Sequence, residues 1–168
     1  MLSDTFLKLE EVGVPDERWQ LFVSISPNEE ITVKKLEDWY KSVSMIQCDV
    51  PLSETLQKRL NEIKNLLIYS WFVYSFASTA FLMSLLLAEA YLREQNILKK
   101  GQNMGNLIHN HKQQGQLPEN IISRLEALVS LRNRLAHSEA SLHSPGSMLM
   151  SVQSTLEVMS ILTNASKQ

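Results

Sequence analysis

The middle of the chain contains a long stretch without a helix-breaking residue. After Pro51, neither proline nor glycine occurs again until Gly101. Such a stretch favours helices over the turn-rich strands of a β architecture. A single helix over residues 53–96 would be about 65 Å long at about 1.5 Å per residue, which is too long for one domain of this size. We therefore predict two helices, separated between Tyr69 and Thr79, where β-branched and aromatic residues form helices least readily.

The same region has the length of a membrane-spanning helix. No charged residue lies between Leu66 and Ala88, and about 20 apolar residues suffice to cross a bilayer. Hydroxyl-bearing side chains interrupt this segment, however, and no tight cluster of Lys or Arg flanks it on one side. A helix that is buried on all sides of a bundle has the same pattern. We therefore interpret this segment as a bundle helix. A membrane-associated protein is the least favoured of the three functional classes that we consider.

The composition is that of an ordinary globular domain. Of the 168 residues, 44% are hydrophobic and 20% are charged, which suffices for one core. The net charge of −2 provides no global attraction for nucleic acid, so any RNA contact has to be local. Cys48 is the only cysteine, which excludes an intrachain disulfide and a thiolate metal cluster. Together with the lack of a secretory signal after Met1, this predicts a cytoplasmic protein.

Helical periodicity divides the chain at about residue 50. Residues 1–50 are predicted to form a helical N-terminal extension packed on the bundle, with a break at residues 26–28. Its aromatic residues, including Trp39 and Tyr40, recur at helical spacing, so we interpret them as packing residues and not as a platform for stacked bases. Ser53 is predicted to cap the first helix of the main body. The predicted helices in the two regions are 3–12, one from Pro15, 31–45, 53–96 with its break, 106–114, 118–138 and 148–163.

The helix predicted over 118–138 contains the residues that are best suited to chemistry. Its apolar stripe consists of Ile121, Leu125, Leu128, Val129, Leu135 and Ala136. On a helical wheel, Arg132 projects into the middle of this stripe, whereas Arg134 lies on the solvated side. Burying a guanidinium is costly unless it is paired or opens onto a cleft. Glu89 falls on the apolar stripe of an earlier helix and is the predicted partner of Arg132, although an i,i+4 pair with Arg93 is the alternative.

A histidine at the end of this helix adds a possible acid or base. His137 follows Arg132 by five residues, and Asn133 lies within reach of it, four residues before. Five residues correspond to about 140° around an ideal helix. Arg132 and His137 therefore share a face only if the helix bends or ends near His137, or if a second copy of the helix completes the site.

Arg132, Asn133 and His137 match an Arg-Asn-x-x-x-His signature, and the segment resembles the HEPN superfamily (higher eukaryote and prokaryote nucleotide-binding domains). The resemblance includes the Ala-Glu-Ala-Tyr-Leu-Arg segment at 88–93 and covers roughly residues 53–163. It implies an all-α, up-and-down bundle of four to five helices over residues 51–168. It also implies a homodimer in which the two motif helices face one another.

In catalytically active members of this superfamily, the function is metal-independent RNA cleavage. The resemblance implies that His137 acts as general acid or base at the ribose 2′-hydroxyl and that Arg132 holds the scissile phosphate. Asn133 would orient the histidine or the helix backbone, Glu89 would position the arginine, and Arg134 would touch the RNA backbone. The predicted protein is an endoribonuclease of toxin or defence type without metal or cofactor, and its partners are RNA and an antitoxin or regulatory protein.

Many members of the superfamily are inactive, and a non-catalytic helical interaction or regulatory module is therefore the alternative function. In such modules the motif holds the helix end and the dimer. The chain also lacks a basic stripe with interleaved aromatic residues. His109 and His111 are interpreted as part of a polar helix face and not as metal ligands or catalytic residues.

Overall fold

The computed structural model describes residues 8–25, 31–136 and 143–166. Within these ranges the protein is mostly helical, with one pair of short antiparallel strands, so the predicted all-α character is confirmed. The α-helices of this part of the chain are α1 (Leu36–Ser44), α2 (Glu54–Tyr69), α3 (Phe76–Glu94), α4 (Met104–Gln114), α5 (Glu119–Ala136) and α6 (Pro145–Ala165).

The stretch without glycine or proline forms two helices, as predicted. Ser53 caps α2, because its hydroxyl oxygen accepts a hydrogen bond of 3.4 Å from the backbone N–H of Leu56. The helix ends at Tyr69, and α3 begins at Phe76. The break therefore lies within the predicted interval, and the two helices fold back on one another.

The hydrophobic core is centred on α3, which packs against α2 and α6. Its side chains at Phe81, Ala88 and Leu92 are fully buried. Among the described residues, α3 is the one helix that is long and apolar enough to cross a membrane, and 50% of its apolar window is buried within the bundle. This burial agrees with the interpretation as a bundle helix.

The N-terminal extension is only partly helical, which corrects the prediction. Its described elements are the 3₁₀ helices Leu9–Glu11 and Glu17–Leu21, the antiparallel strands β1 (Val23–Ile25) and β2 (Ile31–Val33), and α1. The helix predicted over 31–45 begins only at Leu36, because the β-branched residues before it form β2. The break predicted at residues 26–28 lies outside the described residues.

Two tryptophans of this extension dock onto the corner between α2 and α3. The indole N–H of Trp39 donates a hydrogen bond of 2.6 Å to the carbonyl oxygen of Leu67, and that of Trp19 donates one of 3.0 Å to Ser70. Both indoles are buried, with ring centroids 5.0 Å apart, and Trp71 packs against Trp19 at 4.5 Å. The prediction that the aromatic residues serve packing is confirmed for these two side chains.

His111 on α4 does not lie on a polar face. It follows the buried residues Leu107 and Ile108 by four and three positions, which places it on the same side of the helix. Its side chain is buried, whereas that of His109 is exposed. The interpretation of both histidines as a polar face is therefore wrong for His111, because its helical position aligns it with the core.

Candidate functional site

The helix with the motif, α5, packs on the bundle through one face. Ile122, Leu125 and Leu128 are buried on this face. Arg132 comes four residues after Leu128, so it projects on the same side of the helix one turn later. Arg132 lines a groove together with Leu85 and Glu89 of α3, so it lies on the side of α5 that the helical wheel predicts.

Arg132 is nevertheless exposed, and the prediction that it is embedded in the apolar stripe is wrong. The turn of α5 that carries it faces a groove between α3 and the start of α4, instead of packed core. A guanidinium in this position keeps its contact with water and avoids the cost of desolvation. The structure thus corresponds to the case in which the arginine opens onto a cleft.

The groove has a volume of about 280 Å³ and is formed by three helices. It is lined by Leu85 and Glu89 of α3, by Asn103, Met104 and Gly105 at the start of α4, and by Val129, Arg132 and Asn133 of α5. Three of the five predicted site residues, namely Glu89, Arg132 and Asn133, are therefore brought together at one place.

Glu89 and Arg132 share the groove without forming an ion pair. Among the ion pairs of the described residues, none joins these two side chains or Glu89 and Arg93. Instead, Nη1 of Arg132 donates a hydrogen bond of 3.2 Å to Oδ1 of Asn133. The guanidinium of Arg93 donates to two carbonyl oxygens of the loop that follows α3, at 3.1 and 2.7 Å. The predicted pair of Glu89 and Arg132 is therefore not formed, and the two side chains share only the groove.

The start of α4 forms the third wall. Oδ1 of Asn103 accepts a hydrogen bond of 2.9 Å from the backbone N–H of Asn106, whose own Oδ1 accepts one of 3.2 Å from the N–H of Asn103. Gly105 lies in this first turn, and a Cβ there would come within 3.3 Å of Oδ1 of Asn103. The first turn of a helix carries partial positive charge. Together with Arg132 it makes this end of the groove favourable for an anion, while Glu89 makes the α3 wall negative.

A second groove, of about 480 Å³, adjoins the first one between α4 and α5. The residues that line both grooves are Gly105, Val129 and Asn133. Arg134 lines only the second groove, together with His109 and Glu126. Its side chain is exposed, where the helical wheel places it. Arg134 and Arg132 therefore lie in neighbouring grooves on either side of Asn133.

His137, the predicted general acid or base, lies outside the described residues. The prediction that it shares a face with Arg132 therefore also falls outside them. α5 is described as far as Ala136. Within the described ranges, no group of three or more His, Cys, Asp or Glu side chains is arranged to hold a metal ion. The described part of the site therefore consists of the phosphate-binding and positioning candidates.

Asn103 and Gly105 line the groove, although the sequence does not predict them as site residues. The pattern of Asn103 and Asn106 around the helix start is a local capping signal that indicates where α4 begins. It contains no information on which helix faces that start. The position of Gly105 opposite Arg132 results from the packing of α4 against α5, which is a property of the whole bundle.

The chain matches no family model, no curated protein and no solved structure. The assignment of a function therefore relies on the geometry of the groove and on the motif that lines it.

Proposed function

We propose that the protein is a metal-independent endoribonuclease of the HEPN type that acts as a homodimer. The observation that carries this proposal is the groove in which Arg132 and Asn133 of the motif meet Glu89 of α3. An exposed arginine that lines a groove together with the start of a helix is suited to hold a phosphate. The mostly helical bundle around it is the kind of scaffold on which this motif is expected.

The proposed reaction is a transesterification within the RNA backbone. His137 accepts the proton of a ribose 2′-hydroxyl, and the 2′-oxygen attacks the adjacent phosphorus. The bond between phosphorus and the 5′-oxygen breaks, and the leaving oxygen takes a proton from water. The products are a 2′,3′-cyclic phosphate and a 5′-hydroxyl, so the reaction requires no metal, oxidant or cofactor. An ordinary imidazole suits this role because it exchanges protons near neutral pH.

The other site residues bind and position. Arg132 holds the scissile phosphate and stabilises the charge that develops on its oxygens. Asn133 orients Arg132 through the hydrogen bond between their side chains. Glu89 acts on the guanidinium across the groove by its charge, and Arg134 contacts the RNA backbone from the neighbouring groove. In the proposed setting, the enzyme is a cytoplasmic toxin or defence protein that an antitoxin or regulatory protein restrains.

The proposal is tested by incubating the full chain with a mixed RNA substrate in EDTA. The variants are His137→Ala and Arg132→Ala. The matched control is Arg59→Ala, which removes an exposed arginine from α2, and His109→Ala tests an exposed histidine of the neighbouring groove. We expect cleavage by the wild type, Arg59→Ala and His109→Ala, with 2′,3′-cyclic phosphate ends. A removal of one site residue should lower the rate at least 100-fold.

Two other outcomes would overturn parts of the proposal. Loss of cleavage in His109→Ala, with activity retained in His137→Ala, would move the acid or base to the neighbouring groove. Absence of cleavage by the wild type under every condition would favour the alternative, a non-catalytic interaction module.

A further inference from the structure

Charge is distributed unevenly along the chain. Residues 1–50 contain ten acidic and five basic residues, whereas residues 93–168 contain five acidic and eight basic ones. No acidic residue occurs between Glu94 and Glu119. The loop that follows α3 and the whole of α4 therefore have only basic or neutral side chains. The net charge of −2 conceals a locally positive region, and this region adjoins the groove.

The loop between α3 and α4 is held in place at several points. Leu98 is buried, and its backbone N–H donates a hydrogen bond of 3.1 Å to the carbonyl oxygen of Leu92. Asn96 and Gly101 adopt the left-handed conformation, with φ of 57° and 82°. The guanidinium of Arg93 closes the loop through its two bonds to loop carbonyl oxygens. A loop that is ordered in this way loses little further entropy when it binds a ligand.

The exposed residues of this loop are basic. Lys99 and Lys100 are exposed neighbours, and neither takes part in any of the ion pairs of the described residues. Together with Arg93 they line an open depression of about 550 Å³ that no acidic residue lines. Like charges on adjacent residues repel one another, and a bound anion removes this cost. The depression therefore fits a polyanion.

Residues that line the depression lie close in the chain to residues that line the groove. Lys100 precedes Asn103 by three residues, so their Cα atoms lie no more than about 11 Å apart. On α3, Arg93 comes one turn after Glu89, and side chains at this spacing are neighbours at roughly 5–6 Å. Glu89 and Asn103 both line the groove. A chain of phosphates that occupies the groove can therefore extend to the loop.

We propose that Lys99 and Lys100 bind the phosphate backbone of single-stranded RNA that occupies the groove. This inference rests on the proposed ribonuclease function and adds the path of the substrate to it. Contacts with the backbone read no bases, so the loop contributes affinity that is independent of sequence. The loop also determines the side of the scissile phosphate toward which the RNA extends.

The test measures binding of the full chain to a single-stranded RNA whose riboses are 2′-O-methylated, so that it is not cleaved. The variant is Lys99→Ala/Lys100→Ala, and the matched control is Lys41→Ala/Lys64→Ala, which removes two lysines from α1 and α2. For the loop variant we expect roughly 10-fold weaker binding near 0.1 M salt, and a slope of log Kd against log salt that is smaller by about 1.4. The control variant should bind like the wild type.

Cleavage of the unmodified RNA separates this inference from the proposed function. If both double variants bind equally well, the loop proposal is overturned even when the wild type cleaves. If the wild type binds through the loop without cleaving, the loop proposal is supported and the ribonuclease is contradicted. A wild type that binds no RNA overturns both proposals.

Discussion

Nη1 of Arg132 donates a hydrogen bond of 3.2 Å to Oδ1 of Asn133, its neighbour on α5. Side chains of successive helical residues point about 100° apart, so this bond turns the guanidinium sideways around the helix. Asn133 lines both grooves, and the bond therefore holds Arg132 toward the boundary between them. In the proposed site, Asn133 is a positioning residue for Arg132.

The first prediction compares Asn133→Asp with Asn133→Ala. Alanine frees the guanidinium, and the loss of this exposed hydrogen bond should raise KM for RNA cleavage roughly threefold. Aspartate instead pairs with Arg132 and repels phosphate, so KM should rise roughly 10-fold or more. The control is Asn110→Asp, which adds a negative charge at an exposed position of α4. Equal KM values for the two Asn133 variants would contradict the positioning role.

The second prediction concerns Glu89, which shares the groove with Arg132 but forms no ion pair with it. Glu89→Gln removes a negative charge near the phosphate, and KM should fall roughly threefold, as expected for one charge at about 6 Å in water. The same change removes the field that orients Arg132, so kcat should also fall. Steady-state kinetics separate the two effects, with Glu62→Gln on the exposed side of α2 as the control. A change of kcat and KM in opposite directions would contradict the proposed role of Glu89.

Local signals sufficed to predict the helices that frame the site. Ser53 and the proline before it indicate the start of α2, and Gly115 ends α4 in the left-handed conformation, with φ of 63°. The break after Tyr69 follows from a limit on helix length and from weak helix formers. Each of these signals depends on a few residues that are neighbours in the chain, so the sequence alone suffices to predict it.

The features that were predicted wrongly depend on what lies opposite a residue. The wheel gives the direction of Arg132 but does not show that α3 and α4 leave a groove there. Strand β2 pairs with β1, whereas the helical spacing of Leu36 and Trp39 led to the prediction of a helix over 31–45. The capping pattern at Asn103 likewise marks a helix start without indicating its neighbour. Tertiary packing determines the groove, the strand pairing and the neighbour of this helix start, and local periodicity does not predict tertiary packing.

The third prediction tests the docking of the N-terminal extension. Trp39 is 1% exposed, and its indole donates to the carbonyl oxygen of Leu67. Trp39→Phe removes this bond and leaves a cavity, so the free energy of unfolding should fall by about 2–3 kcal/mol. Thermal denaturation should show a lower Tm, whereas the adjacent, exposed Tyr40→Phe should leave Tm unchanged. An unaltered Tm for Trp39→Phe would show that the extension does not contribute to the stability of the bundle.

The fourth prediction concerns stability in acid. Burial acts to raise the pKa of Asp16, but hydrogen bonds from Arg18 and its positive charge outweigh burial, so the pKa lies below its ordinary value of 3.8. A carboxyl group with a lowered pKa stabilises the fold above the unfolded pKa, and this contribution is lost as the pH falls through the folded pKa. The contribution of Asp16 should therefore be complete above about pH 5 and disappear progressively below about pH 4.

Asp16→Asn should accordingly lower the free energy of unfolding at pH 7 by about 1–2 kcal/mol, since Arg18 loses a charged acceptor. The difference from the wild type should shrink as the pH is lowered to 3. Urea denaturation at several pH values measures it, with the exposed Asp49→Asn as the control. A difference of the same size at pH 3 and pH 7 would mean that the carboxylate does not stabilise the fold through its charge.

The fifth prediction concerns His111, a polar side chain at a core position. It is 5% exposed, and neither ring nitrogen has a hydrogen-bond partner among the described residues. A buried donor or acceptor without a partner costs about 1–3 kcal/mol. His111→Leu removes both nitrogens and keeps most of the volume, so the free energy of unfolding should rise by about 1–2 kcal/mol. His111→Ala should lower it, because a cavity replaces the ring.

Thermal and urea denaturation of the two variants give the sign of each change. His109→Leu, at an exposed position of the same helix, shows whether leucine alters α4 irrespective of burial. A less stable His111→Leu variant would contradict the prediction. The imidazole would then have a partner, either water or a residue outside 8–25, 31–136 and 143–166. In that case the histidine would be retained for a hydrogen bond that also holds α4, and with it the wall of the groove, in place.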